Sequence, residues 1–203
     1  MPKRLYIFFT MLVVFGGAAM FLMTITESLW GFSDTQVPVP ALEVVAPSRD
    51  VEPGDHPVRL RVPALDIDAR VQEVGVTASG NMATPSNFTD VGWYKYGTPP
   101  GFRGSAVIAG HVDNGLALPG VFKRLNELAV GDHLYVKTQD GSEALFRVVE
   151  IQTYPYTHVP RDVLFARTDT ARLNLITCEG AWVSGERTYD LRLVVYTELV
   201  SAE

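Results

Sequence analysis

The chain of 203 residues holds a single cysteine, Cys178, so no intramolecular disulfide can staple it. The same count excludes a CxxC motif and any cysteine-rich zinc site. Basic residues are outnumbered: 17 Lys and Arg stand against 23 Asp and Glu, a net charge of −6. That balance offers no basic patch to a phosphate backbone and speaks against nucleic acid as a partner. The acids are not clustered either. Asp113, Asp132 and Glu179 are scattered and read as solvated side chains, so neither a calcium site nor any other metal site is expected. Repeats and low-complexity tracts are lacking as well.

What is present is apolar mass. With 47% apolar and 20% charged residues, the chain has the composition of a globular protein with a real core. Its length suits one domain plus a smaller addition. The addition is N-terminal. Lys3 and Arg4 precede residues 5–26, LYIFFTMLVVFGGAAMFLMTIT, which carry no charge. As helix they span about 33 Å, enough to cross a hydrocarbon core of about 30 Å. The run outlasts the roughly 7–15 apolar residues of a cleaved signal, and its only small-residue cluster, Gly17-Ala18-Ala19, lies in mid-run. An uncleaved single-pass anchor in the cell membrane is expected, with residues 1–4 cytoplasmic and everything after Thr26 outside. Residues 27–57 follow as a spacer: Trp30 and Phe32 suit the membrane interface, and five of the 13 prolines fall between 37 and 57.

From 58 to 203 the sequence reads as one β-rich domain. Alternating or apolar runs predict strands at 58–62, 70–76, 105–109, 133–138, 144–151, 173–178 and 189–197. A short helix is expected at 121–128, where Val121, Phe122, Leu125 and Leu128 share a side, and another turn of helix at 162–166. Seven or eight strands with one or two short helices make an all-β class, a small barrel or sandwich closed to protect its edges.

Cys178 ends the apolar run Leu173-Asn174-Leu175-Ile176-Thr177, a place from which a nucleophile is rigidly aimed and partly exposed. Such a thiol needs a base or cationic neighbours. Four histidines are available; His111 alone mirrors the cysteine, ending the run Ser105-Ala106-Val107-Ile108-Ala109-Gly110 where it empties into a loop. An acyl-transfer site also needs a group that meets the developing oxyanion. Arg187, in the loop after the cysteine, and Arg192, inside the last apolar run, are both candidates. Trp182 and Val183, in the loop before the last strand, and Trp93 and Tyr94 could wall a peptide groove or serve ordinary packing.

These residues resemble the sortase family. LNLITC at 173–178 is similar to the signature [LIV]-x-L-x-T-C, and Arg192-Leu193-Val194-Val195-Tyr196 to the arginine-led final strand. GSAVIAGH at 104–111 resembles the segment bearing the family's histidine, and FKRLNELAVGD at 122–132 the stretch that follows it. Segments 81–85 and 92–101 look most like class F, or class D/E-like, members. The resemblance covers nearly all of 58–200 and implies a closed barrel of about eight strands that acts as a cysteine transpeptidase, without a cofactor. It assigns catalysis to Cys178, His111 and Arg192, with the Thr177 hydroxyl and the Glu179 backbone N–H as helpers and Trp182 and Trp93 near the peptide. It further implies a sorting-signal peptide as donor and an amine, from a cell-wall precursor or a pilin lysine, as acceptor. In two respects the chain departs from the pattern. Asn174 sits where an apolar or threonine side chain is commoner, and the fourteen-residue step from Cys178 to Arg192 is long, which keeps Arg187 in play.

Two other readings use the same residues. One is a different exported cysteine acyltransferase or peptidase, such as an L,D-transpeptidase-like enzyme, although Leu-Ile-Thr here replaces the serine-glycine run before that cysteine. The other is a membrane-tethered β module that binds a peptide without turning it over.

Overall fold

In the computed structural model, residues 52–114, 116, 118–166 and 169–200 are described. The expected anchor at 5–26, and the spacer as far as residue 51, lie outside the described residues.

Eight strands close into a barrel: β1 (Pro57–Val62), β2 (Ile67–Val74), β3 (Val91–Tyr94), β4 (Gly104–Ala109), β5 (His133–Thr138), β6 (Glu143–Pro155), β7 (Ala171–Val183) and β8 (Thr188–Leu199). Around the barrel they run β1-β2-β3-β4-β7-β8-β6-β5, with β2–β3 and β4–β7 parallel and the other neighbours antiparallel. The crossover from β4 to β7 passes through β5, β6 and α1 (Arg161–Phe165), and it makes β4 and β7 neighbours although they are far apart in sequence.

Period-two alternation explains the two cores. Leu173 and Leu175 of β7, Leu193 and Val195 of β8, Ala106 and Ile108 of β4, and Phe146 and Val148 of β6 fill the interior. Their sequence neighbours Ile176, Val194, Val107 and Ala109 face outward, where Val159, Leu164 and Phe165 of the α1 region cover them. The middle of β7 is therefore buried on both faces, which is why it reads as an unbroken apolar run. Asn174 belongs to the covered outer face: it is buried, and its side-chain amide donates to the Leu164 carbonyl at 2.6 Å, tying β7 to α1.

Two local expectations need correction. The helix at 121–128 is instead a run of turns with one 3-10 turn at Leu125–Glu127. Phe122 N–H donates to the His111 carbonyl and Gly120 N–H to that of Val112, both at 2.9 Å, so the start of this segment is tied to the chain leaving β4, while the residues after it make only short i to i−3 turns. Trp182 and Val183 lie not in a loop but at the end of β7, paired with Tyr189 and Thr188.

Candidate active site

Strand register brings the three candidate side chains together. β4 and β7 pair in parallel as far as Ala109↔Ile176. His111 and Cys178 each stand two residues beyond that pair, and the contact continues past the end of β4. Gly110 N–H donates to the Ile176 carbonyl at 3.2 Å, and the Thr177 hydroxyl donates to the Gly110 carbonyl at 2.9 Å. Residues two apart on a strand share a face, so His111 and Cys178 extend the outward column of Ala109 and Ile176. On the other edge of β7, Cys178 is the direct antiparallel partner of Arg192. Opposed residues in such a pair share a face, with Cβ atoms about 4.5–5.5 Å apart. Imidazole, thiol and guanidinium thus converge at one end of the barrel's outer face.

The long step from Cys178 to Arg192 has a local cause. Glu179 pairs with Leu191 but Trp182 pairs with Tyr189, so β7 carries one extra residue in a bulge at 180–181. Gly180 takes φ 85° there, and the Asp190 carboxylate accepts from Ala181 N–H at 2.7 Å. A Cβ at 180 would stand 2.1 Å from that carboxylate oxygen, so only glycine fits. Arg187 sits in the exposed hairpin turn at φ 52°, beyond the last ladder pair, and is not opposite the sulfur.

Each group is held by named partners. The only role open to the Pro85 carbonyl, 3.1 Å from His111 Nε2, is acceptor; Nε2 therefore carries a proton, which leaves Nδ1 as the nitrogen whose protonation can change. Phe88 lies against the imidazole with ring centroids 5.1 Å apart. Arg192 Nη1 donates to the carbonyls of Tyr189 and Leu191, both at 2.9 Å, and Nη2 to the Thr188 hydroxyl at 2.7 Å. The Tyr156 ring covers the guanidinium at 5.7 Å, and the Tyr156 hydroxyl donates to Glu186 across to the hairpin at 2.6 Å. Tyr189 donates to Asp113 at 2.5 Å. Burial first, then that hydrogen bond, the Asp113 charge and the Cys178 charge push the Tyr189 phenol well above its ordinary range.

Burial departs from expectation. Cys178 and His111 are 0% exposed and Arg192 is 1% exposed, where a partly exposed thiol was expected. At 0% exposure the sulfur is closed to a peptide carbonyl in this structure. Asp113, read as solvated from sequence, is also buried.

The remaining expected residues occupy different surroundings. Thr177 gives its hydroxyl proton to the Gly110 carbonyl, so this side chain ties β7 to the histidine segment. Glu179 is half-buried, one residue beyond the thiol and opposite Leu191. Trp182 is 45% exposed and packs edge-on against Tyr189 at 5.3 Å, beside the site. Trp93, by contrast, is 1% exposed in the barrel's interior core, with Nε1 donating to the Thr98 carbonyl at 3.3 Å. Sequence reasoning missed Tyr189 and Asp113; the one available signal was that Asp113 follows His111 by two positions.

Among the described residues no cluster of His, Cys, Asp or Glu is arranged to hold a metal. A cavity of about 380 Å³ opens between the start of β2 and residues 119–124. It touches the back of the histidine segment through Phe88 and Gly120 and does not include the sulfur.

A family model described as the sortase domain matches residues 60–200. Comparison with curated protein sequences gives no match. Among solved structures, sortase A from Corynebacterium diphtheriae aligns with a TM-score of 0.56 and 20% identity, over 71% of this chain and 60% of that one. A Clostridium perfringens sortase D5 transpeptidase aligns at 0.54 and 21%, over 75% and 83%. Sortase C-1 from Actinomyces oris aligns at 0.54 and 24%, over 75% and 77%. The chain therefore spans less than two thirds of the diphtheria protein's length, and at these identities the likeness is one of fold.

Proposed function

The chain belongs to the sortase family; from that membership we infer that it is a cysteine transpeptidase, and from the uncharged run at 5–26 after Lys3 and Arg4 that it is anchored in the membrane with its barrel outside. Its donor is a protein or peptide bearing a sorting signal, and its acceptor is an amine from a cell-wall precursor or a pilin lysine. Segments 81–85 and 92–101 favour a class F or class D/E-like member.

The observation that carries this reading is the register of three strands. Arg192 stands directly opposite Cys178, and His111 lies two residues beyond the Ala109↔Ile176 pair. A thiol alone is only a few per cent ionised at neutral pH, so its nucleophilicity depends on such neighbours. In the reaction, the Cys178 thiol passes its proton to His111 Nδ1, and the sulfur attacks the scissile carbonyl carbon and forms an S–C bond. The developing oxyanion is met by the Arg192 guanidinium and the Glu179 backbone N–H. His111 Nδ1 gives a proton to the departing amine as the C–N bond breaks, leaving a thioester on Cys178. An incoming amine then loses a proton to the same nitrogen and attacks the thioester; the S–C bond breaks and the departing sulfur takes that proton back from Nδ1, restoring the thiol. The thioester conserves the energy of the broken amide, so an amine that enters before water restores an amide at little cost.

The test is cleavage of a peptide library with and without an added amine, read by mass spectrometry. Products that carry the amine are expected. Hydrolysed products alone would make the protein a peptidase, and binding without cleavage would make it a peptide-holding module. Recovery in the membrane fraction, with the barrel accessible to external protease, is expected for the anchor; a soluble chain would overturn it.

A further inference from the structure

Asp113 lies two positions past His111 and is 7% exposed. Its Oδ2 accepts from the Tyr189 hydroxyl at 2.5 Å, a bond that joins residues 76 positions apart. A buried carboxylate is costly unless a donor meets it, so this contact constrains both segments it links. One segment carries His111; the other is β8, which carries Arg192.

Other observations set the pair at the chemistry. The Tyr189 carbonyl accepts from Arg192 Nη1 at 2.9 Å, so one residue holds the guanidinium through its backbone and the histidine segment through its hydroxyl. Cys178 lies within electrostatic reach of the same phenol. The Tyr189 ring is further fixed edge-on to Trp182, its ladder partner. On the Asp113 side, the chain is closed by a bridge to Pro119, and Asn114 N–H donates to the Leu118 carbonyl at 3.1 Å. The carboxylate is thus mounted on a tied loop, and the phenol on a rigid strand.

We propose that Asp113 and Tyr189 form a positioning pair whose hydrogen bond fixes the His111 imidazole relative to the Cys178 sulfur and the Arg192 guanidinium. The proposal rests on the transpeptidase reading. Neither side chain needs to touch substrate; the pair acts by holding the group that moves the proton. A misplacement of about 1 Å in such a site costs on the order of 100-fold in rate, so a single lost hydrogen bond is enough to be read.

The experiment uses the detergent-solubilised full chain and two readouts, amine-dependent peptide transfer and labelling of Cys178 by iodoacetamide at neutral pH. Tyr189→Phe keeps the ring and its packing on Trp182; Asp113→Asn keeps an acceptor oxygen; Asp113→Ala removes it. The expected result is that Y189F and D113A each lower kcat by roughly ten- to 100-fold with KM unchanged. The double variant should be no worse than either single one, because both remove the same contact. D113N should stay within about threefold of the parent, and iodoacetamide labelling should slow in Y189F and D113A alike. Multiplying losses in the double variant, a change confined to KM, or full turnover in Y189F would overturn the pairing. Labelling also separates this idea from the one beneath it. Slow labelling in both single variants with no peptide transferred by the parent would support the pair and sink the transpeptidase. Transfer by the parent with an unaffected Y189F would do the reverse. If D113A fails to fold, Y189F and D113N carry the test.

Discussion

Replacing Arg192 by lysine keeps the positive charge opposite Cys178 and removes the planar fork. The guanidinium donates hydrogen bonds to the carbonyls of Tyr189 and Leu191 and to the Thr188 hydroxyl. A lysine ammonium is a compact point charge and cannot span acceptors set for two separate nitrogens. Hydrogen bonds to charged groups contribute about 1.5–3 kcal/mol each, so losing one or two costs about 2–5 kcal/mol. For a domain of this size, about 2–4 °C in Tm accompanies each kcal/mol, which gives a fall of roughly 4–20 °C. The rate should suffer separately. Removing one well-placed oxyanion donor costs about 100- to 1,000-fold in kcat, and a lysine that keeps only the charge should recover little of it. The assay pairs thermal unfolding with amine-dependent transfer of a fixed peptide, and uses Arg187→Lys as the control. Arg187 lies in the exposed turn, so that control should behave like the parent. An Arg192→Lys protein that melts within about 2 °C of the parent and turns over within about threefold of it would refute the reasoning.

Other expectations follow from the same geometry. A methyl group added at Gly120 would stand 2.3 Å from the His111 carbonyl oxygen and 3.0 Å from its Cβ. Gly120→Ala should therefore displace the imidazole, lowering turnover while peptide affinity is retained and costing about 1–3 kcal/mol of stability; an unchanged kcat would contradict it. The raised phenol of Tyr189 gives an alkaline signature. Its contribution to stability is complete below the unfolded tyrosine pKa of about 10 and is lost as pH rises above that, because the unfolded chain then releases a proton that the folded one keeps. Urea unfolding from about pH 8 to pH 11 should show a steeper loss for the parent than for Tyr189→Phe, and equal slopes would exclude the effect.

How much was legible beforehand depended on whether a residue's neighbours lay along the chain. The strands announced themselves through alternation, and α1 began within one residue of its expected place. β3 did not: Val91–Tyr94 is four residues long and buried throughout, so it has no polar phase to reveal its period. Phe122, Leu125 and Leu128 had helical spacing, yet they plug the barrel core while the N–H groups of Gly120 and Phe122 go to the carbonyls of Val112 and His111. Tertiary pairing overrode local pattern there. The three candidate catalytic residues could be named because each stands in or just after a patterned apolar block, although β7 runs five residues past Cys178 rather than ending there. Their convergence needed the parallel β4–β7 contact, which no local signal specifies. Asn174 looked like a departure from pattern; beneath α1 it is a buried donor to Leu164, a role that an apolar side chain could not fill. Asp113 looked solvated because its partner, Tyr189, belongs to the last strand.

The central claim is that the Cys178 sulfur carries the acyl group between donor and acceptor. Intact-mass spectrometry of the chain, after brief exposure to the peptide library, tests this directly. The account predicts an acyl adduct on Cys178 that added amine discharges and that Cys178→Ala never forms, although that variant still binds peptide. Transfer by the alanine variant, or an adduct on any other residue, would contradict it.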